Sequence, residues 1–421
     1  MEVIKMSVLF VMDKWVAGNI NFGLSAWQGN LASSLESLNI AEVEKFHFDD
    51  FHINFPHESA NQALIDLCKK KCPEFIFLVI SELPNKSDHI VRISTLKEIR
   101  NQLKIPIVTI FGDLQMKFQV AVLKSIEPYA DLILFTALTN PGIKLANAKM
   151  KYMWVPKDPK HFHFDSQMLH CYNLSYLGSN KPNRIELVNF LKKRNVDIYT
   201  GGGERDTNIS VIEYSNIIKK SKMSLSFSRT PPGMHCINAR PFEIVSCNSM
   251  LLEESGIETP KLFKPFVEYI PFFSKRDCLD KIKYFIKNDR ERSEISFNAY
   301  NKFNRLFTAQ RFWMEVIDYI RKEEFHKINN KFSVNKSGDE FWTEPMPLRT
   351  IPKFNFLQYQ DLSFLIRNLY RFLNFIWSKS YLFNIYYYTF LILWLTKRAL
   401  QSPKTAPYKI YRIIMRKMHS Y

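Results

Sequence analysis

The sequence predicts an α/β protein: two successive doubly wound, parallel-sheet domains followed by a basic, aromatic-rich helical tail. Three observations lead there. Short continuous apolar runs alternate with helix-periodic segments through Ile320, the pattern of parallel strands covered on both faces. At 421 residues the chain is long enough for two or three domains. A composition of 46% hydrophobic and 24% charged residues is that of a globular protein, which excludes wholesale disorder, a collagen-like chain and a polytopic membrane protein.

The first domain is expected over residues 1–160. Val8 to Met12 is an apolar strand, followed by a Gly/Asn-rich stretch (Gly18, Asn19, Asn21, Gly23) and a helical pattern through Leu31, Leu35 and Leu38. The cycle recurs in a helix around Ala63 to Lys71, the run Phe75 to Ile80, a helix around Ile93 to Leu103, and a strand from Pro106 to Phe111 that ends in Gly112-Asp113. A helix over Phe118 to Ile126, a strand over Asp131 to Phe135 and a last run from Tyr152 to Val155 complete the set. Lys157 to Asp165 is polar, contains Pro159 and breaks periodicity, so the interdomain linker is expected there.

The second domain is expected over residues 165–330. Its strands are Leu174 to Leu177, Val196 to Tyr199, Met223 to Phe227 and Met250 to Leu252; its helices are Arg184 to Arg194, Val211 to Lys220 and Pro241 to Cys247. Lys275 to Asn288 and Glu291 to Ile320 read as closing helices, and no fixed-period repeat interrupts the series. Two such domains leave a crevice between the carboxyl ends of their sheets, where ligands of open parallel sheets bind.

Three loops in the second half carry groups suited to an anion. Gly201, Gly202 and Gly203 follow a strand and let backbone N–H groups approach a diphosphate; a flexible turn alone would also use them. The GxGxxG spacing and the Lys-Ser/Thr ending of a P-loop are both missing, so neither a dinucleotide site nor a P-loop is indicated. Gly178, Lys181 and Arg184 follow another strand and suit a phosphate, or simply begin a basic helix. Arg240 and Glu243 stand three apart at a helix start, where they can form either a structural pair or part of a site.

With these residues in view, a resemblance emerges. The words YLGSNKPNR, EYSNIIKKSKMSLSFS, RPFEIVSCNSMLLEE and LFKPFVEYIPF, then a helix and IKYFIKNDRERSEISFNAYNKF, resemble the donor-binding half of GT-B glycosyltransferases across residues 176–318. The likeness is to the spore-maturation-type group, related to the retaining glycosyltransferases with an E-x7-E motif. In the first half, PIVTIFGDLQMKF, ADLILF and MKYMWVPKDPKHFHF resemble that group's strand ending in Asp and its crossover between domains.

The resemblance implies two Rossmann-like domains and transfer of a hexose-like sugar, with retention, from a nucleotide-sugar held by the second domain to an acceptor held by the first. Glu243 matches the second Glu of the motif and would hold ribose hydroxyls; the first falls at position 235, where this chain has His235. Arg184, Lys181, Arg240 and the amides of Gly201 to Gly203 would stabilise the departing diphosphate. Asp113 could position or deprotonate the acceptor hydroxyl, or cap its loop. No bound cofactor is expected, because the nucleotide-sugar is a substrate and such enzymes generally work without a bound metal. His161, His163, His170 and Cys171 match no strong zinc pattern.

Charge is concentrated at the far end. Of the formal +17, residues 345–421 carry +11, from 12 Lys or Arg against Asp361 alone, together with 18 of the 61 aromatic residues. Tyr381 to Leu395 holds 15 uncharged residues, fewer than the roughly 20 of a spanning helix. Trp377, Tyr386, Tyr387 and Trp394 are residue types favoured at headgroup level, and Lys397 and Arg398 suit anionic lipid. The expectation is an in-plane or shallow anchor, with a true span or a helix packed on the catalytic domains as alternatives.

Six cysteines without a CxxC pair read as reduced thiols, with Cys68 and Cys72 both in the core, and the start offers no signal-peptide pattern. A peripheral or monotopic location on the cytoplasmic membrane face follows, with a glycan or lipid-linked acceptor. A non-catalytic envelope or glycan-binding protein of the same fold is the alternative that His235 keeps open. Nucleic-acid binding by the tail is not expected, because its apolar core suits no solvated groove.

Overall fold

The computed structural model describes residues 6–80, 83–84, 90–112, 117–136, 149–201, 209–230, 234–235, 237–256 and 258–321, all within one compact unit. Asp113, Gly202, Gly203 and the tail residues Trp377, Tyr386, Tyr387, Trp394, Lys397 and Arg398 lie outside the described residues.

The first lobe comprises β1 (Met6–Val11), α1 (Ser33–Leu38), β2 (Ala41–Phe46), α2 (Phe48–Asn54), α3 (Ala60–Lys71), β3 (Phe75–Leu78), α4 (Ile93–Lys97), β4 (Ile107–Phe111), α5 (Lys117–Ile126), β5 (Leu132–Phe135) and β6 (Met150–Tyr152). Its six strands form a parallel sheet in the order β2-β1-β3-β4-β5-β6. Every residue of β3, β4 and β5 is buried, because helices cover both faces, and this is why the strands read as unbroken apolar runs. β2 and α2 escape the sequence pattern: AEVEKF is a half-exposed edge strand whose Glu and Lys residues look like a loop.

The second lobe comprises β7 (Ser175–Leu177), α6 (Pro182–Lys192), β8 (Tyr199–Gly201), α7 (Val211–Lys219), β9 (Met223–Ser226), β10 (Arg229–Thr230), β11 (Met234–His235), α8 (Arg240–Ser246), β12 (Met250–Glu254), α9 (Thr259–Leu262) and β13 (Ile270–Phe272). Then follow α10 (Lys275–Lys287), α11 (Asp289–Leu306) and α12 (Ala309–Arg321). The sheet is parallel in the order β13-β12-β9-β7-β8, and β10 and β11 make a separate antiparallel pair. Helix caps follow from sequence: Ser59, Ser210 and Ser274 each accept a backbone N–H from the first turn of α3, α7 and α10.

Three expectations change. The helix expected from Glu291 to Ile320 is two, broken at Phe307 and Thr308, whose hydroxyl accepts the N–H of Arg311. Phe307 leaves the helix because its ring fills the space between Trp154, Phe242 and Phe263 at 5.5, 5.3 and 5.4 Å. The segment from Lys157 is no solvated linker: Lys157 and Asp158 are buried, and Phe162 is in the core. Cys68 is buried, and burial pushes its thiol up to about 12, whereas Cys72 is exposed at the left-handed end of α3.

After Phe307, α12 returns to the first lobe. Trp313 inserts there, donating to the Ser34 hydroxyl at 2.9 Å and meeting Phe77 and Phe10 edge-on at 5.3 and 5.6 Å. Lys151 pairs with Glu315 at 2.8 Å across the same seam. Trp313→Ala should lower unfolding free energy by about 3–5 kcal/mol, measured by urea denaturation, whereas Trp313→Phe should cost far less and mainly forfeit the bond to Ser34.

Candidate functional site

The candidate residues converge at the carboxyl ends of β7, β9 and β12. β7 leads into Gly178, whose N–H donates to the Gly201 carbonyl at 2.9 Å, so the two glycine positions singled out in sequence sit side by side. A Cβ on Gly178 would lie 2.2 Å from Nη1 of Arg240. Glycine is thus what lets the Arg240 guanidinium rest against the strand end.

Arg240 and Arg184 share an aromatic floor. The Arg240 guanidinium lies 6.0 Å from the centre of the Tyr176 ring, and that of Arg184 lies 5.5 Å from the centre of Phe227. Those two rings meet edge to face at 5.3 Å. Arg184, buried on the first turn of α6, donates through Nη1 to the Ser179 hydroxyl at 2.6 Å. Lys181 is the residue preceding α6 at its amino end, so helix dipole and cations point the same way.

Glu243 does not pair directly with Arg240; the Tyr214 hydroxyl stands between them. It accepts from Arg240 Nε at 3.2 Å and donates to Glu243 Oε2 at 2.7 Å. The other carboxylate oxygen accepts from Lys157 Nζ at 2.8 Å, and the Lys157 side chain has no exposed surface. Burial pushes the Glu243 carboxyl up, but Lys157 and Arg240 outweigh it and hold the group below the usual carboxylate range. The carboxylate therefore stays ionised and anchored, with lone pairs remaining for further donors.

Sequence reasoning missed Lys157, Tyr214 and Glu253. Lys157 looked like a linker lysine in a run with Pro156 and Pro159; only its burial singles it out. Glu253 sits on β12 opposite Ser226 of β9. It is 1% exposed, and neither carboxyl oxygen makes a hydrogen bond of good geometry, although Ser226 and Ser228 are near enough to influence it. Burial pushes its carboxyl up to about 8, so it holds its proton far more tightly than an exposed glutamate.

His235 pairs through its backbone region with Arg229, in the β10–β11 ladder beside the same strand ends. Of the histidines weighed for zinc, His163 bonds the Pro159 carbonyl and contacts Lys219, and His161 faces Asp158 at 3.9 Å. Among the described residues no group of three or more His, Cys, Asp and Glu side chains is arranged to hold a metal.

Residues 184–318, within the second lobe, match a family model described as glycosyl transferase-like. The curated proteins contain no significant sequence match. Among solved structures, an alpha-glucosyltransferase in complex with UDP-glucose and DNA containing an abasic site aligns at TM-score 0.54 with 12% identity, over 76% of this chain and 100% of the other. Sucrose-phosphate synthase from Thermosynechococcus elongatus aligns at 0.52 with 8% identity, over 76% and 99%. HepE from Anabaena, in complex with UDP-glucose, aligns at 0.51 with 11% identity, over 74% and 98%. The architecture is the GT-B fold.

A buried acid whose folded-state value is raised binds a proton that the unfolded chain has released. The stability cost of ionising Glu253 is therefore absent below about pH 4.5, grows as pH rises toward 8, and is constant above that. Glu253→Gln should flatten the fall in stability between about pH 5 and 8, read from denaturation curves across that range; parallel wild-type and variant profiles would show that the carboxyl is not held neutral.

Proposed function

We propose that the protein is a glycosyltransferase that moves a sugar from a nucleoside-diphosphate donor to an acceptor hydroxyl. The observation that carries this is the pair of guanidinium groups, Arg184 and Arg240, on one aromatic floor at the strand ends of the glycosyltransferase-like lobe. When the anomeric C–O bond breaks, its electron pair leaves with the diphosphate. Two fixed cations and the amino end of α6 stabilise that charge without reorganising. Glu243, held by Lys157 and Tyr214, accepts the ribose hydroxyls. The UDP-glucose complexes of two structures with this fold support a uridine nucleotide as the first donor to try.

The sugar moved is hexose-like and is transferred with retention, a reading supported by the resemblance to the E-x7-E group. Asp113, following Gly112 at the carboxyl side of β4, is the candidate acceptor contact. The acceptor is a glycan or lipid-linked glycan at the cytoplasmic membrane face, a reading supported by the +11 charge and 18 aromatics of residues 345–421. Among the described residues no helix is long and apolar enough to cross a membrane.

The donor reading is tested by thermal shift of the full chain with UDP, GDP, CMP and their sugars, since a ligand of the folded state raises apparent stability. One nucleotide should raise the melting temperature. Arg240→Ala should abolish the shift, and Gly178→Ala should weaken it and also destabilise the unliganded protein, because a Cβ at φ +157° is strained and meets the Arg240 guanidinium at 2.2 Å. A folded protein that responds to no nucleotide would overturn the proposal.

The membrane reading is tested with vesicles of phosphatidylcholine alone or mixed with phosphatidylglycerol. The full chain should sediment with the mixed vesicles, less so as salt rises, and K397E/R398E should reduce the bound fraction. Equal binding to both vesicles, or none, would remove the anionic-surface assignment.

A further inference from the structure

The loop that leaves β1 turns apolar side chains outward. Trp15 and Leu24 form an antiparallel bridge, the Val16 N–H donates to the Gly23 carbonyl at 3.0 Å and the Ser25 N–H to the Lys14 carbonyl at 2.8 Å, so residues 14–25 close on themselves. Between these ends run two single turns, Val16–Gly18 and Ile20–Phe22. Val16, Ile20 and Leu24 are 38%, 54% and 60% exposed. The loop is fastened to α2. The Asp49 carboxylate accepts the N–H groups of Lys14 and Trp15, each at 2.9 Å, and Asp50 accepts Lys14 Nζ at 3.0 Å and the Trp15 indole N–H at 3.3 Å. The far end of α2 and the residue after it add Ile53 and Phe55, 53% and 48% exposed.

The same bonds decide what kind of partner fits. Lys14 and Asp50 answer each other and Asp49 is taken up by backbone N–H groups, so what this surface offers is apolar contact. Five large apolar side chains, each about half exposed, present on the order of 500 Å², the size of the functional patches found on monomers. That is short of the roughly 800 Å² per partner that a stable protein pair buries, which argues against a second copy of this chain. Turns carrying isolated apolar side chains suit the acyl boundary of a membrane, a fluid that needs no matching shape. Position supplies the consequence. The loop begins at the carboxyl end of β1 and α2 at that of β2, the edge at which open parallel sheets bind ligands and to which β4 brings Gly112.

We propose that Val16, Ile20, Leu24, Ile53 and Phe55 seat the first lobe in the acyl boundary of a phospholipid membrane, so that its strand-end crevice opens onto the lipid surface and takes a lipid-borne acceptor from it. The proposal rests on the membrane-face reading of the acceptor above. It differs from that reading in its physics. The attraction expected of the basic tail is electrostatic and fades with salt, whereas burial of uncharged side chains does not.

The test sediments the full-length protein with vesicles of phosphatidylcholine and phosphatidylglycerol at low salt and at about 1 M salt, where the screening length is about 3 Å. Wild type should keep a bound fraction at high salt, and I20D/L24D should weaken that binding by about tenfold or more. Both positions are exposed, so the variant should melt as the wild type does. A second readout places an environment-sensitive fluorophore at position 20, through Ile20→Cys in a C72S/C171S/C236S background, and at position 70, through Lys70→Cys. Lys70 is exposed near the end of α3 that leads into β3, on the opposite edge of the sheet. Vesicles should shift the emission of the label at 20 to the blue and leave that at 70 unchanged. High-salt binding that I20D/L24D retains, wild-type binding lost completely in high salt, or a label at 20 that stays aqueous while the protein sediments would each overturn the proposal and leave the tail reading standing. A label at 20 that shifts with protein concentration and no lipid would make the occupant a second copy, and overturn it as well. If the wild type binds no vesicle, the membrane reading falls first and this one with it.

Discussion

A lysine ammonium with no exposed surface can stand only where a negative charge meets it, and Lys157 meets Glu243 at 2.8 Å. That single pair fastens the chain leaving the first lobe to the helix that carries the candidate donor site. The attachment is extended by Phe162, whose ring packs edge-on against Tyr214 at 6.2 Å, and by Tyr214 itself, which bonds both Glu243 and Arg240. Removing either charge would strand the other in a medium of low polarity, so the crossover and the site are held as one piece.

The same economy explains the seam between the lobes. Phe307 breaks what would be one long helix and fills the junction of Trp154, Phe242 and Phe263, after which α12 carries Trp313 back into the first lobe. The second lobe's chain thus ends by packing on the first. An aromatic seam of this kind buries much apolar area with few rotatable bonds, and it sets α8, and with it Arg240 and Glu243, against the crossover.

Within the donor lobe, two kinds of polar group have different standing. Arg240, Tyr214, Glu243 and Lys157 satisfy one another, which gives the arginine a fixed aim. Glu253 is instead a buried carboxyl that burial holds toward its neutral form.

The order of strands and helices was legible from apolar runs and helix periodicity, because a parallel sheet buried on both faces needs apolar residues at every strand position. The exceptions follow the same rule: β2 lies at an edge and keeps Glu42 exposed, so its sequence lacks the signal. Gly178, Arg184, Arg240 and Glu243 stood out in sequence because a glycine at a strand end and cations at helix starts have recognisable chemistry. Lys157, Tyr214 and Glu253 did not, since a lysine between prolines, a helical tyrosine and a strand-end glutamate carry no local mark. Composition and periodicity by themselves determined two α/β lobes and a basic aromatic tail. Only tertiary structure decided which charges are buried and what neutralises them, because desolvation depends on what the whole chain packs around a group and not on its sequence neighbours.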